Sequence, residues 1–225
     1  MRKVLKYAVL VVIVAFLMYS GIYFEDLQEV RRLRQEKTFD PVGYARDFWD
    51  NKLAGALDGA ADVGELIELF NMNMAEAIRR YGKAPGVSRV YAYLLQGEGT
   101  IVAVGEDGLQ VSIAGRAGES VVLIETGLYI PGNAVRDASG LVDVSEFSDT
   151  MKFNEVSSEI NKIVVKEVIG PFLGAKCEAG MKIKFIGASQ VSQEHVFGQL
   201  TVDSSGVKES QLLKIVPIKL ELKEP

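Results

Sequence analysis

The chain has 225 residues with 48% hydrophobic content and a formal charge of −5. That length holds one domain with appendages or two small ones, and that composition excludes wholesale disorder. Setting aside Arg2, Lys3 and Lys6 leaves 22 of the 25 basic residues against 30 acidic ones, 22 − 30 = −8, a balance that repels nucleic acid.

One cysteine, Cys177, excludes an internal disulfide and a Cys/His zinc site. The single histidine, His195, has no serine and aspartate arranged around it as a triad, so it reads as a surface residue. No metal site and no cofactor is expected. The partial Gly97–Glu98–Gly99 match lacks the rest of any phosphate-binding fingerprint.

In chain order, Tyr7 to Phe24 carries no charged side chain. At about 18 residues, or about 27 Å as a helix, it has the length of a hydrocarbon core. Residues 1–24 therefore read as an uncleaved signal anchor and transmembrane helix, with the bilayer as partner through residues 7–24. Arg2, Lys3 and Lys6 place the N-terminus inside and the domain outside the cytoplasmic membrane. Residues 25–38 read as a charged juxtamembrane stalk.

Asp40 and Pro41 then start a helix, the first as N-cap and the second as first helical residue. Tyr44, Ala45, Phe48, Trp49, Leu53 and Leu57 give it one apolar face. A second helix is expected from Asp62 to Tyr81, burying Val63, Leu66, Ile67, Phe70, Met74, Ile78 and Tyr81 and ending at Gly82. Residues 39–86 form a helical segment packed on a β-rich domain, residues 87–225.

From residue 87 the period becomes two. Val87 to Leu95, Thr100 to Val104 and Leu109 to Ile113 are extended, the last two joined by an Asp107–Gly108 turn. A further strand spans Glu119 to Ile130, broken near Gly127. A helix runs from about Asn154 to Val168 and stops at Gly170–Pro171. Val156, Ile160, Ile163, Val164 and Val168 lie on one face; Ser157, Glu159, Asn161, Lys162 and Lys166 lie on the other. Two strands around Met181–Phe185 and Ile218–Leu222 close the chain, with Pro217 confining the last to an edge or its own start. Residues 200–209 add a candidate hairpin. Three strands, a helix and two strands give an α+β fold. Residues 87–225 then form an OB-fold-like five-stranded antiparallel β-barrel with its helix between strands three and four.

The stretch TGLYIPGNAVRDASGLVDVSEFSDTMKFNEVSSEIN, residues 126–161, carries what a packed core alone does not require. Gly127 and Gly132 permit positive φ or close approach of backbone. Arg136 can fork onto a carboxylate or phosphate. Asp137 cannot face it along a helix and is expected to cap or pair elsewhere. Two readings stay open: a buried Arg136 ion pair fixing a turn, with Asp143 and Ser145 capping a helix, or an anionic or polar ligand or partner segment held by Arg136, Asn133 and nearby N–H groups. Asp143, Glu146 and Asp149 recur every three residues without a calcium-loop pattern.

With FDPVGYARDFWDNKL, Arg80–Tyr81–Gly82, Gly97–Glu98–Gly99 and the closing IVPIKLEL, this stretch makes the chain, from Phe39 to Glu221, resemble a bacterial family. That family, of unknown function, is described as predicted periplasmic lipoproteins. Leu128 and Asn133 stand where it usually has proline and threonine, and the apolar span stands in place of its lipid-bearing cysteine. The motif's Gly127, Gly132, Asn133, Arg136, Asp137, Phe147 and Asn161 are the candidate ligand- or partner-binding residues. The genes of the family often lie beside sugar ABC-transporter genes. The resemblance thus implies a membrane-anchored, extracytoplasmic, noncatalytic binding or scaffold protein with an envelope or transporter partner and an unspecified small-molecule ligand. The alternative from a different class is an envelope hydrolase using carboxylates such as Asp137 and Asp143.

Overall fold

A computed structural model describes residues 6–7, 10–16, 39–86, 88–115, 118–174, 177–194 and 212–223. Two compact units divide the chain, Met1–Asp40 and Pro41–Pro225. The expected stalk at 25–38, His195 and the hairpin at 200–209 lie outside the described residues.

In the first unit the expectation of a membrane span is corrected. Among the described residues no helix is long and apolar enough to cross a membrane. The described continuous helix within the apolar run covers residues 10–16, which rises only about 10 Å against a hydrocarbon core of about 30 Å. Residues 17–24 lie outside the described part. The transmembrane helix and signal anchor at 1–24, the single-pass location with the N-terminus inside, and the bilayer as partner through residues 7–24 are set aside with it.

In the second unit the first helix starts at Pro41, the expected first helical residue. Helix α1 (Pro41–Asp47) runs through a π-turn at Phe48–Lys52 into α2 (Leu53–Leu57). Ala45, Phe48, Leu53 and Leu57 are buried along this piece. The expected second helix is two. In α3 (Val63–Met72) the Asp62 side chain caps the start by accepting from Glu65 N. Asn73 then leaves helical geometry and caps α4 (Met74–Tyr81), accepting from Glu76 N. Asparagine competes well for local backbone bonds, so a single amphipathic run is cut into two.

Before α3 lies the short strand β1 (Ala61–Asp62) and after α4 come β2 (Val90–Val104), β3 (Gly108–Gly115) and β4 (Gly118–Glu125). The two extended segments expected on either side of Gly97–Glu98–Gly99 are one strand. A Cβ on Gly97 would lie 2.5 Å from Val63 Cγ1, and one on Gly99 would collide with the Ser112 carbonyl. The glycines let β2 turn past its neighbours, pairing with β5 (Lys182–Ser192) over residues 90–100 and with β3 over residues 100–104.

The last strand is β6 (Leu213–Lys223). The order β2–β3–β4–β6–β5, with β5 paired back to β2, closes a five-stranded barrel, and β1 adds outside β2. One detail corrects the expectation: the barrel is not wholly antiparallel, because β4 and β6 pair in parallel. Pro217 sits inside β6, beyond the residues paired with β4 and opposite Gly187 at a register shift between Ile186 and Gly187. A bulge admits a residue without a donor in mid-strand. Tyr93, Leu95, Ile101, Val111, Ile124, Phe185 and Ile215 form one apolar cluster with Val63, Leu66 and Phe70 of α3.

Between β4 and β5 lie α5 (Ala134–Ser139), a 3-10 turn at Val144–Glu146, and α6 (Thr150–Ile163). Gly170–Pro171 does not stop α6. A π-turn at Val164–Ile169 leads into α7 (Gly170–Leu173), with Gly170 N donating to Val165 O five residues back. The wider turn accommodates a proline that an α-helical ladder would reject.

Candidate functional site

Nearly all of the 126–161 stretch hangs on α5 and α6. All six residues of α5 are buried, Arg136 and Asp137 among them. The Asp137 carboxylate faces its neighbour after all: Arg136 Nε donates to Oδ1 at 2.8 Å, and Nη2 lies 2.8 Å from the same atom. The long guanidinium stem curls back along this short helix, a geometry that spacing rules for adjacent residues do not anticipate. Nη1 donates to Phe153 O at 2.6 Å and to Asn154 Oδ1 at 3.4 Å. The guanidinium carbon lies 3.3 Å from the Phe153 ring centroid. Gln190 of β5 donates to Asp137 Oδ2 at 3.1 Å.

Burial pulls the Arg136 guanidinium below its ordinary value and pushes the Asp137 carboxyl above its own, and the contact between them opposes both shifts. The pair ties α5 to α6 and to the barrel wall. Its side chains are 1% and 5% exposed, so neither faces solvent.

The other candidate residues fall into place around it. Phe147 packs edge-on against Tyr44 of α1 and tilted against Phe153 of α6, with both centroid distances 5.4 Å. Tyr44 donates to Glu146 Oε2 at 3.0 Å. Its phenol is pushed up to about 12, first by burial and then by that carboxylate. Asp143 caps the 3-10 turn in a reciprocal pair with Glu146, and Asp149 caps α6. Among the described residues no group of three or more His, Cys, Asp or Glu could hold a metal ion. Gly132 has φ +84°, which its turn requires. Gly127 has no positive φ, and a Cβ there would meet nothing closer than 3.8 Å.

Asn161 is 8% exposed, although the sequence pattern puts it on the polar face of α6 with the equally buried Ser157. The helix is covered on more than one side, so its buried arc is wider than a surface helix requires. The Asn161 Nδ2 donates to Ile130 O and to Gly132 O, both at 2.9 Å. One carboxamide thereby pins the loop that carries Leu128 and Tyr129, which are 87% and 81% exposed.

That loop and α6 enclose a cleft of about 320 Å³, lined on the loop side by Leu128, Tyr129, Ile130 and Asn133 and on the helix side by Asn154, Ser158, Asn161 and Val165. Of the candidate residues, Gly132, Asn133 and Asn161 line it. Asn133 stands at the N-cap of α5, yet its side chain makes no capping bond. Sequence reasoning missed Tyr129, Asn154, Ser158 and Gln190 as site residues. The repeat of Asn154, Ser158, Asn161 and Val165 at i, i+4, i+7 and i+11 is the one signal that could have found the helix wall.

The fold and this stretch are matched elsewhere. The family described as predicted periplasmic lipoprotein (DUF2291) matches residues 12–203. The chain belongs to that family. An OB-fold protein from Thermotoga maritima MSB8 is similar in structure, with a TM-score of 0.67 at 27% identity over 83% of this chain and 100% of that one. No curated protein matches the chain. As a DUF2291 member it is an extracytoplasmic protein built on an OB-fold-like barrel. Its single cysteine, Cys177, is half-buried beside Phe172 O rather than in the N-terminal apolar run.

Proposed function

We propose that the chain is a noncatalytic binding or scaffold module of the cell envelope that serves a transport system. The cleft between the 128–133 loop and α6 is its recognition face. One observation carries the reading: two large apolar side chains, Leu128 and Tyr129, stand out in solvent on a loop held from below by a buried carboxamide. Exposing them stabilises nothing in the isolated domain. Pinning the loop lowers the ordering cost when a partner covers it.

No observation favours the hydrolase. A second hollow, of about 590 Å³, is lined by Asp137, Asp143 and Glu146 together with Lys83. However, both Asp137 oxygens are engaged, by Arg136 and Gln190, and Asp143 is engaged in capping.

The test is co-purification of the full chain from a whole-envelope extract of its own source. A transporter subunit that accompanies the unaltered chain and is lost from a Leu128→Asp, Tyr129→Asp double variant supports the role. Equal recovery with both chains, or no transport protein with either, overturns it.

A further inference from the structure

The cleft differs in chemistry from the charged pair behind it. Its polar lining is three carboxamides, the hydroxyls of Ser158 and Tyr129, and Lys162. The Lys162 ammonium is already held 2.6 Å from Glu159 Oε1. No carboxylate lines the cleft, and the Arg136 charge behind Asn154 is matched by Asp137. A charged ligand would therefore shed water here without meeting an uncommitted counter-charge, which is costly.

The carboxamides, in contrast, have capacity to spare. Asn161 spends its Nδ2 on the loop, and among the described residues no donor reaches its Oδ1. Asn154 receives Arg136 on its Oδ1, which leaves its Nδ2 as a donor. Asn133 withholds its side chain from the cap that an asparagine at that position usually supplies. Asn133 can therefore offer a donor and an acceptor side by side, Asn154 a donor and Asn161 an acceptor. Leu128, Tyr129, Ile130 and Val165 supply the apolar surface. The volume lies at the small end of small-molecule sites.

Resting on the binding-module reading above, we infer that this cleft binds a small uncharged molecule with adjacent hydrogen-bond donors and acceptors on a body that has one apolar face. A neutral polyol ring and a compact amide share that chemistry. Asn133, Asn154 and Asn161 read the polar edge, and Tyr129 covers the apolar face.

The test is a protein-observed NMR titration of the full chain in detergent with galactose, N-acetylglycinamide and galacturonate. Dose-dependent shifts at Tyr129, Asn133, Asn154, Ser158 and Asn161 with galactose or N-acetylglycinamide are expected, and the probe that gives them identifies the polyol or the amide as the source. Galacturonate should bind more weakly than galactose. Asn133→Ala should weaken binding about tenfold, the loss of one good hydrogen-bonded group, and leave the Tm in place because that side chain caps nothing. Shifts mapping elsewhere, preference for galacturonate, or no response to either neutral probe overturns the inference. A transporter subunit still lost with the Leu128/Tyr129 variant would then leave the module reading standing, so the two fail separately.

Discussion

The two sides of α6 make opposite use of polarity. On one, Arg136 and Asp137 bring full charges into a site closed to solvent and spend all of them on each other, on Phe153 O and on Gln190. On the other, neutral carboxamides face an open cleft with bonds left unmade. Arg136 and Asp137 hold α5 to α6, while Asn133, Asn154 and Asn161 line the open cleft. A buried charge is tolerated only when it is matched, so a fully matched one has little left for a ligand.

The sharpest way to break this comparison is Arg136→Ala. It strands the Asp137 carboxylate in the interior and should cost about 3–5 kcal/mol, read as a lower urea midpoint and a lower Tm. A mild loss of stability with abolished ligand binding would reverse the roles assigned to the two sides. Replacing both partners by apolar residues of similar volume, Arg136→Met with Asp137→Leu, should recover most of the loss.

Asn161→Ala comes next. It leaves the Ile130 and Gly132 carbonyls without their donor and should cost about 1–3 kcal/mol. Amide exchange in residues 128–132 should accelerate well beyond the change seen in β2. Uniform acceleration across the domain would mean that the carboxamide supports the fold at large rather than the loop.

Smaller is the alkaline limb. The Tyr44 phenol is pushed up to about 12 from an ordinary 10. The fold thus favours the protonated form, and the contribution is whole below pH 10 and lost as pH rises from 10 to 12. Tyr44→Phe should flatten that part of a stability–pH curve by removing the titrating group. An unchanged slope would show that the Tyr44–Glu146 contact between α1 and the 3-10 turn is not where the fold senses base. The smallest effect on stability is that of Asn133→Ala, within about 0.5 kcal/mol as for a residue without structural bonds, checked by the same urea titration.

The strand order is one of the features the sequence makes legible. Alternation in Leu109–Ile113 and Ile218–Leu222 and turn residues such as Asp107–Gly108 are local signals, and they arrive in OB order. The cap at Asp143 is equally local, because its own carboxylate accepts from Ser145 N two residues on. The parallel β4–β6 pair was not legible, since strand direction in a closed barrel depends on which edges meet. Nor was the passage of Pro171 through a π-turn, where packing of the whole helix outweighs a local stop signal.

The sequence by itself determined most of the barrel strands, the start of α1 and the family motif. Tertiary structure alone decided what residues 126–161 do. Arg136 carries the same guanidinium whether exposed or buried, and only the assembled structure gives it 1% side-chain exposure and four bonds that tie α5 to α6. Asn154 and Ser158 have nothing to distinguish them from any polar helix face until the 128–133 loop folds over them. Burial and the sharing of hydrogen bonds are properties of the assembled layers, and no local pattern in the chain carries them.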